Sequence, residues 1–234
     1  MKIFRLLSLL LVVLLASCLN KKKSADTGMP GNESRYVVLA YVTSWGVSTP
    51  ETSCLTHINY AFGHVADDNK GIRIDNEPRL QMIVGLKKEK PSLKVLLSVG
   101  GWGSSRFSEM AANDSTRTAF AADCRRVIDK FGLDGIDIDW EYPGSGTAGI
   151  SFSSADKENF TLLMRDVRQA VGKDKLLTIA TAATGRYYDF RAIEPYVDYV
   201  NIMAYDMEEA PFHHAALHCS DMTEEWSCEK AVAG

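Results

Sequence analysis

The stretch from Leu133 to Pro143, LDGIDIDWEYP, holds three carboxylates, Asp137, Asp139 and Glu141, in alternation with Ile138 and Trp140. On a β-strand, side chains two apart share a face, so the three acids line one side while Ile136, Ile138 and Trp140 line the other. Successive acids are then ~7 Å apart at about 3.3 Å rise per residue. Like charges that close on a buried face are costly unless they share protons or meet a cation. A strand that carries them points to acid and base chemistry. Divalent cation binding is the other chemistry open to such a face, since carboxylates suit Mg²⁺ or Mn²⁺, but three acids on one strand are a thin basis for it.

The elements that must position this line are a series of apolar strands and amphipathic helices. Tyr36 to Trp45 and Leu55 to Val65 are rich in β-branched and aromatic residues and nearly continuous in apolar character, as strands covered on both faces are. A helix is predicted from about Pro78 to Lys90, ended by Pro91. Leu93 to Trp102 is a third strand that runs into a glycine pair. Ser115 precedes a helix whose stripe includes Phe120, Cys124, Val127, Ile128 and Phe131, and Gly132 stands where a closing glycine is favoured. The acidic strand follows, with Asp134 at its start and of opposite parity to the acids, hence structural. Then come a polar loop from Gly144 to Ser151 and a helix near Ser154 to Val171 closed by Gly172. Two more strands, Leu176 to Thr184 and Tyr196 to Met207, flank a short helical piece around Tyr188 to Ile193. Six strands alternating with helices imply a parallel α/β architecture, and spacing alone does not separate a doubly wound sheet from a barrel. Polar or glycine-rich residues gather at the C-terminal ends of the strands, where both architectures build their sites.

Composition narrows the function classes. The chain has 234 residues with 46% hydrophobic and 24% charged, and its net charge of −4 argues against a nucleic-acid partner. Residues 1–17 carry Lys2 and Arg5, then an apolar run from Leu6 to Ala16 that is too short to span a bilayer and reads as an export signal. Its end, Leu15-Ala16-Ser17-Cys18, resembles the lipobox of bacterial lipoproteins. That resemblance implies cleavage before Cys18, acylation of Cys18, and attachment of an exported chain to a lipid bilayer, at the outer membrane or cell surface. Residues 18–35 are polar and rich in Lys, Ser, Gly and Pro, a flexible tether. Residues 36–234 form the one globular domain. Export permits disulfides, and Cys219 with Cys228 is the pair close enough in sequence to bridge a short loop, whereas Cys124 belongs to an apolar helix face. His213, His214, His218 and Cys219 lack regular ligand spacing, so no metal and no cofactor is expected.

Three motifs then carry a family resemblance. DGIDIDWE at Asp134 to Glu141 resembles the DxxDxDxE signature of glycoside hydrolase family 18, the chitinases and related endo-β-N-acetylglucosaminidases. SVGG at Ser98 to Gly101 is similar to that family's SxGG strand, and MAYD at Met203 to Asp206 to its MxYD strand. The resemblance implies a (β/α)8 TIM barrel and hydrolysis of β-1,4-linked N-acetylglucosamine, in chitin or chitooligosaccharides or in glycoprotein glycans, with the substrate's acetamide as nucleophile. It assigns Glu141 as general acid and then base, and Asp139 as the group that orients the acetamide and stabilises the oxazolinium. Asp137 would share a proton with Asp139, and Tyr205 would donate to the acetamide carbonyl. Asp206 and Met203 would complete the sugar pocket, with Tyr41, Trp45, Phe62, Trp102 and Tyr142 as candidates to stack on sugars. Ser98 would bond the Asp137 region, and Gly100 and Gly101 would permit close chain approach. An acid that donates near neutral pH needs a raised pKa, for which the neighbouring carboxylate is the expected cause.

A barrel of this kind needs eight strands, and the chain offers about six before Gly234, so the expectation is an incomplete barrel. With no match to the family's last-strand Trp, a non-catalytic glycan-binding remnant is the competing reading.

Overall fold

A computed structural model describes residues 36–223 and 226–233 of the chain. The export signal, the lipobox cysteine Cys18 and the tether lie outside the described residues.

The strands are β1 (Leu39–Thr43), β2 (His57–Val65), β3 (Ile72–Ile74), β4 (Lys94–Gly100), β5 (Gly135–Asp139), β6 (Leu176–Ala182) and β7 (Tyr199–Met203). Six of them run parallel in the order β1-β2-β4-β5-β6-β7, and β3 pairs antiparallel to β2. The helices are α1 (Glu77–Gly85), α2 (Phe107–Ala111), α3 (Asp114–Phe131), α4 (Asp156–Val171), α5 (Phe190–Ile193) and α6 (Cys228–Ala233). Sequential parallel strands linked by helices form the curled sheet of an incomplete (β/α) barrel, and this removes the doubly wound alternative.

The two faces of the sheet differ sharply. Ile58, Tyr60, Val95, Leu97, Val99, Ile136, Ile138, Leu177 and Ile179 form one apolar face, fully buried against helix residues such as Phe120, Val127, Phe160, Leu163 and Val167. The opposite parity carries Tyr41, Asn59, Ser98, Asp137, Asp139, Thr178 and Asn201, which face the barrel interior. Register places Ser98 and Thr178 directly beside Asp137 on the two neighbouring strands.

Helix ends follow the sequence signals closely. Gly132 takes a left-handed φ of 68° and its N–H bonds to Ile128, closing α3, and Gly172 closes α4 through Arg168. The start of α3 is shifted: Asn113 occupies the N-cap position and Asp114, not the residue after Ser115, opens the helix. Asp134 accepts from Lys87 Nζ at 2.6 Å and from the Val95 amide at 2.8 Å, a structural part at the base of the sheet.

One expectation is corrected, one strand is added, and one possible disulfide is not formed. β1 is not covered on both faces: Val37 and Val38 lead into it exposed and Tyr41 is 39% exposed, because no strand pairs with its outer edge among the described residues. The three-residue β3 is too short to leave a periodic signal. Cys219 and Cys228 are both free, as are Cys54 and the fully buried Cys124.

Candidate active site

The C-terminal end of β5 is fixed from its apolar side. Trp140 is fully buried, stacked on Phe107 with centroids 5.3 Å apart and flanked by Phe160 at 6.1 Å. The Tyr188 hydroxyl donates to the Trp140 carbonyl at 3.1 Å. This clamps the backbone between Asp139 and Glu141, so both carboxyls are aimed by a residue whose own position is set by packing.

On the interior side, burial falls along the line of acids: Asp137 is fully buried, Asp139 is 4% exposed and Glu141 is 8% exposed. Asp137 is the best supplied with donors. Its Oδ2 accepts from Tyr41 Oη at 2.9 Å and Ser98 Oγ at 2.8 Å, and its Oδ1 from Thr178 Oγ1 at 2.5 Å and Asn201 Nδ2 at 3.1 Å. Burial raises its pKa and these four bonds oppose the rise. Asp139 has no such support, its Oδ1 being buried with no protein partner. Burial, then the charges of Glu141 and Asp137, hold its pKa well above the ordinary carboxylate range. Of the two, Asp137 is therefore built to carry charge and Asp139 to carry a proton.

Glu141 also has a raised pKa, chiefly from burial, with a hydrogen bond to Tyr142 opposing and the charge of Asp206 adding. The neighbouring carboxylate on the strand, expected as the cause, is not among the causes. Burial dominates because Glu141, although past the end of β5, is still enclosed by the residues of the cleft wall.

Glu141 opens into a cleft of about 630 Å³ whose lining includes Trp102, Tyr142, Met203, Tyr205 and Asp206. Five of the residues singled out in the sequence thus meet around the acid. Tyr205 is half exposed and its ring lies over His214 at 6.3 Å. The two glycines sit where chains meet closely. A Cβ on Gly100 would lie 1.9 Å from the Asp139 carbonyl oxygen, and one on Gly101 would lie 2.7 Å from the Phe62 ring.

The remaining aromatic candidates separate. Tyr41 donates its hydroxyl to Asp137. Tyr142 has one face covered by Tyr187, stacked at 4.7 Å, leaving only its other face and edge to the cleft. Trp45 is largely exposed and sits 6.5 Å from Phe62, outside the lining of the Glu141 cleft.

Thr147, Ala182 to Thr184, Met207 and Trp226 also line the cleft and carry no motif. Trp226 precedes α6 in a segment without periodicity, and only its type, a Trp in a polar stretch, could have singled it out. The histidine-rich segment forms no metal cluster among the described residues; His214 lies 3.3 Å from Asp206 and His218 lies 2.9 Å from Glu229.

Known proteins share this fold. The chitinase domain of the spore coat protein CotE from Clostridium difficile superposes with a TM-score of 0.81 at 34% identity, covering 89% of this chain and 62% of that one. A glycoside hydrolase family 18 N-acetylglucosaminidase from Paenibacillus barengoltzii gives a TM-score of 0.77 at 38% identity, covering 85% and 63%. Among curated relatives, probable chitinase 2 of Drosophila melanogaster is 33% identical over 223 residues, 84% of this chain and 45% of the relative. Chitinase A1 of Niallia circulans is 30% identical over 275 residues, 89% of this chain and 39% of the relative. The chain thus spans less than half the length of these two curated proteins. The sequence signature of glycosyl hydrolases family 18 matches residues 37–233, nearly the whole described domain, and the chain belongs to that family.

Proposed function

We propose that the protein hydrolyses β-1,4-linked N-acetylglucosamine glycosides with retention of configuration, using the acetamide of the bound sugar as nucleophile. The observation that carries this reading is the placement of Glu141 at the mouth of the cleft, two residues beyond a buried Asp139 whose Oδ1 has no protein partner, both carboxyls having raised pKa values.

In the first step Glu141 gives its proton to the glycosidic oxygen, the C1–O bond breaks, and the acetamide carbonyl oxygen bonds to C1. The product is a cyclic oxazolinium ion, and the aglycone leaves as an alcohol. Positive charge develops at the acetamide nitrogen. An Asp139 whose proton passes toward Asp137 offsets that charge where it appears, and Tyr205 donates to the acetamide oxygen. In the second step the Glu141 carboxylate takes a proton from water, whose oxygen bonds to C1 as the oxazoline C–O bond breaks. Two inversions at C1 give net retention. Met203, Asp206 and Trp102 hold the sugars around the bond that is cut.

The family relatives named as chitinases and as an N-acetylglucosaminidase support this substrate class. Purified protein and Glu141→Gln are to be assayed on N-acetylglucosamine oligomers and on an N-glycan core. The expected result is release of β-anomer by the wild type and a loss of at least about 10²-fold in the variant. Equal turnover in both proteins removes the acid assignment, and sugar binding without turnover in either leaves only the glycan-binding remnant.

The lipobox-like Leu15 to Cys18 supports a further proposal, that acylated Cys18 holds the exported enzyme at a lipid bilayer. Cys18→Ser should move the protein from the membrane fraction to the soluble one, and an unchanged distribution overturns the anchor.

A further inference from the structure

We infer that Asp156, a residue outside the cleft, is a positioning residue that holds the exit of the acid-bearing strand and the cleft loop behind it. Asp156 is the first residue of α4 and is fully buried. Its Oδ2 accepts two backbone amides, Gly144 N at 3.2 Å and Ser153 N at 2.8 Å. Its Oδ1 accepts from Ser108 Oγ of α2 at 2.7 Å. One carboxylate oxygen therefore receives both ends of the segment 144–153, which leaves the strand end and returns to the same point.

The segment is thus a closed surface loop, the kind whose ends are held together while its body serves a site. Its start is three residues past Glu141, through Tyr142 and Pro143, and its body carries Thr147 to the cleft wall. The loop is braced at its far side as well, where Ser151 Oγ donates to Glu109 Oε2 at 2.8 Å. Tyr142 is gripped from one direction by Tyr187 and, through Pro143 and Gly144, from the other by Asp156. A carboxylate suits the post because it is acceptor-only, with lone pairs for three donors, and because its charge lies at the positive end of α4.

Asparagine separates tether from charge. In Asp156→Asn the amide oxygen takes the place of Oδ2 and keeps both N–H bonds, while the amide nitrogen donates to Ser108 Oγ, which can accept. In Asp156→Ala two amides and a hydroxyl lose their partner and the loop ends part.

The kinetic readout of the tether rests on the hydrolase reading, and the structural readout does not. The test measures kcat, KM and the pH profile on a chromogenic N-acetylglucosamine dimer, together with amide hydrogen exchange of Gly144 and Ser153. Asp156→Ala should lose about 10- to 100-fold in kcat, the scale of a misplaced catalytic group, with a shifted limb for the loss of the Glu141 proton and faster exchange at both amides. Asp156→Asn should keep the wild-type limb and slow exchange. Should Asp156→Ala fail to fold, Ser108→Ala, which removes a single bond, should show the same changes on a smaller scale. A folded Asp156→Ala with wild-type kcat, pH profile and exchange overturns the inference, as does an Asp156→Asn as impaired as the alanine variant, or a Ser108→Ala that changes nothing where the alanine variant cannot be obtained. If the wild type shows no turnover, the hydrolase reading fails, and the two exchange rates still decide the tether.

Discussion

Gly100 lies directly beside Asp139 on the neighbouring strand, so close that a Cβ would stand 1.9 Å from the Asp139 carbonyl oxygen. That oxygen also accepts the Gly101 amide at 2.9 Å. The absence of a side chain at Gly100, whose φ is +130°, lets β4 and β5 meet where the acids emerge. Gly100→Ala is expected to destabilise the fold by about 3–5 kcal/mol, the range of a severe core defect, and to displace Asp139. Gly85, the last residue of α1, has ordinary helical angles, and a Cβ there would meet nothing within 4 Å. At that position Ala should stabilise by about 0.5–1 kcal/mol. Urea unfolding of both variants checks the contrast.

The four donors to Asp137 differ in how far they reach across the sheet. Ser98 and Thr178 stand on the strands next to β5, Asn201 on β7 beyond β6, and Tyr41 on the edge strand β1, beyond both β4 and β2. Tyr41→Phe removes one hydrogen bond to a charged acceptor, a loss of about 1.5–3 kcal/mol in the stability of that charge. Kinetically this should read as a fall of about 10- to 150-fold in kcat with KM little changed, because a fully buried Asp137 is out of the substrate's reach. A parallel rise in KM would place Tyr41 on the sugar.

Much of this site was legible in the sequence because strand parity is a strict rule. Three acids at spacing two had to share a face, and Ser98 had to face the same interior once β4 was recognised as the neighbour of β5. Gly100 and Gly101 signalled a close approach without naming its partner. What could not be read were contacts set by register and by loops. Tyr41 reaches an acid 96 positions away, and only the sheet order brings them together. Tyr142 is paired with Tyr187 by the path of the loop after β6. Thr147 and Trp226 enter the cleft from segments with neither a 2.0 nor a 3.6 period, so no pattern could place them.

The raised pKa of Asp139 leads to a prediction about stability whose sign can be worked out. The folded state holds this proton to higher pH than the unfolded chain does. Between the ordinary carboxylate range and the raised folded value, the native state binds more protons, so stability falls as pH rises. The penalty is absent in acid, below the unfolded pKa, and complete above the folded one. Asp139→Asn, which cannot ionise, should therefore raise Tm at neutral and alkaline pH, by about 2–4 °C for each kcal/mol relieved. The difference from wild type should shrink as the pH drops through the carboxylate range. A constant offset across pH would show that Asp139 titrates alike in the folded and unfolded chain, so that its folded pKa is not raised.

Trp226 offers the strongest test of how far the cleft extends beyond the motif residues. It lines the same space as Glu141, Tyr205 and Asp206, yet it comes from the segment just before α6 and only part of its surface is exposed. A large, rigid apolar ring beside a polar rim is the usual make-up of a strong contact residue, and its truncation should cost about 1–2 kcal/mol, or roughly 5- to 30-fold in Kd. The measurement is a calorimetric titration of N-acetylglucosamine oligomers into Glu141→Gln, with and without Trp226→Ala. Trp226→Phe should recover most of the affinity, since an aromatic face is retained. If Trp226→Ala binds as tightly as its parent, the ring covers the core beneath it and contributes nothing to the sugar, and a loss of unfolding stability in place of affinity would identify that role.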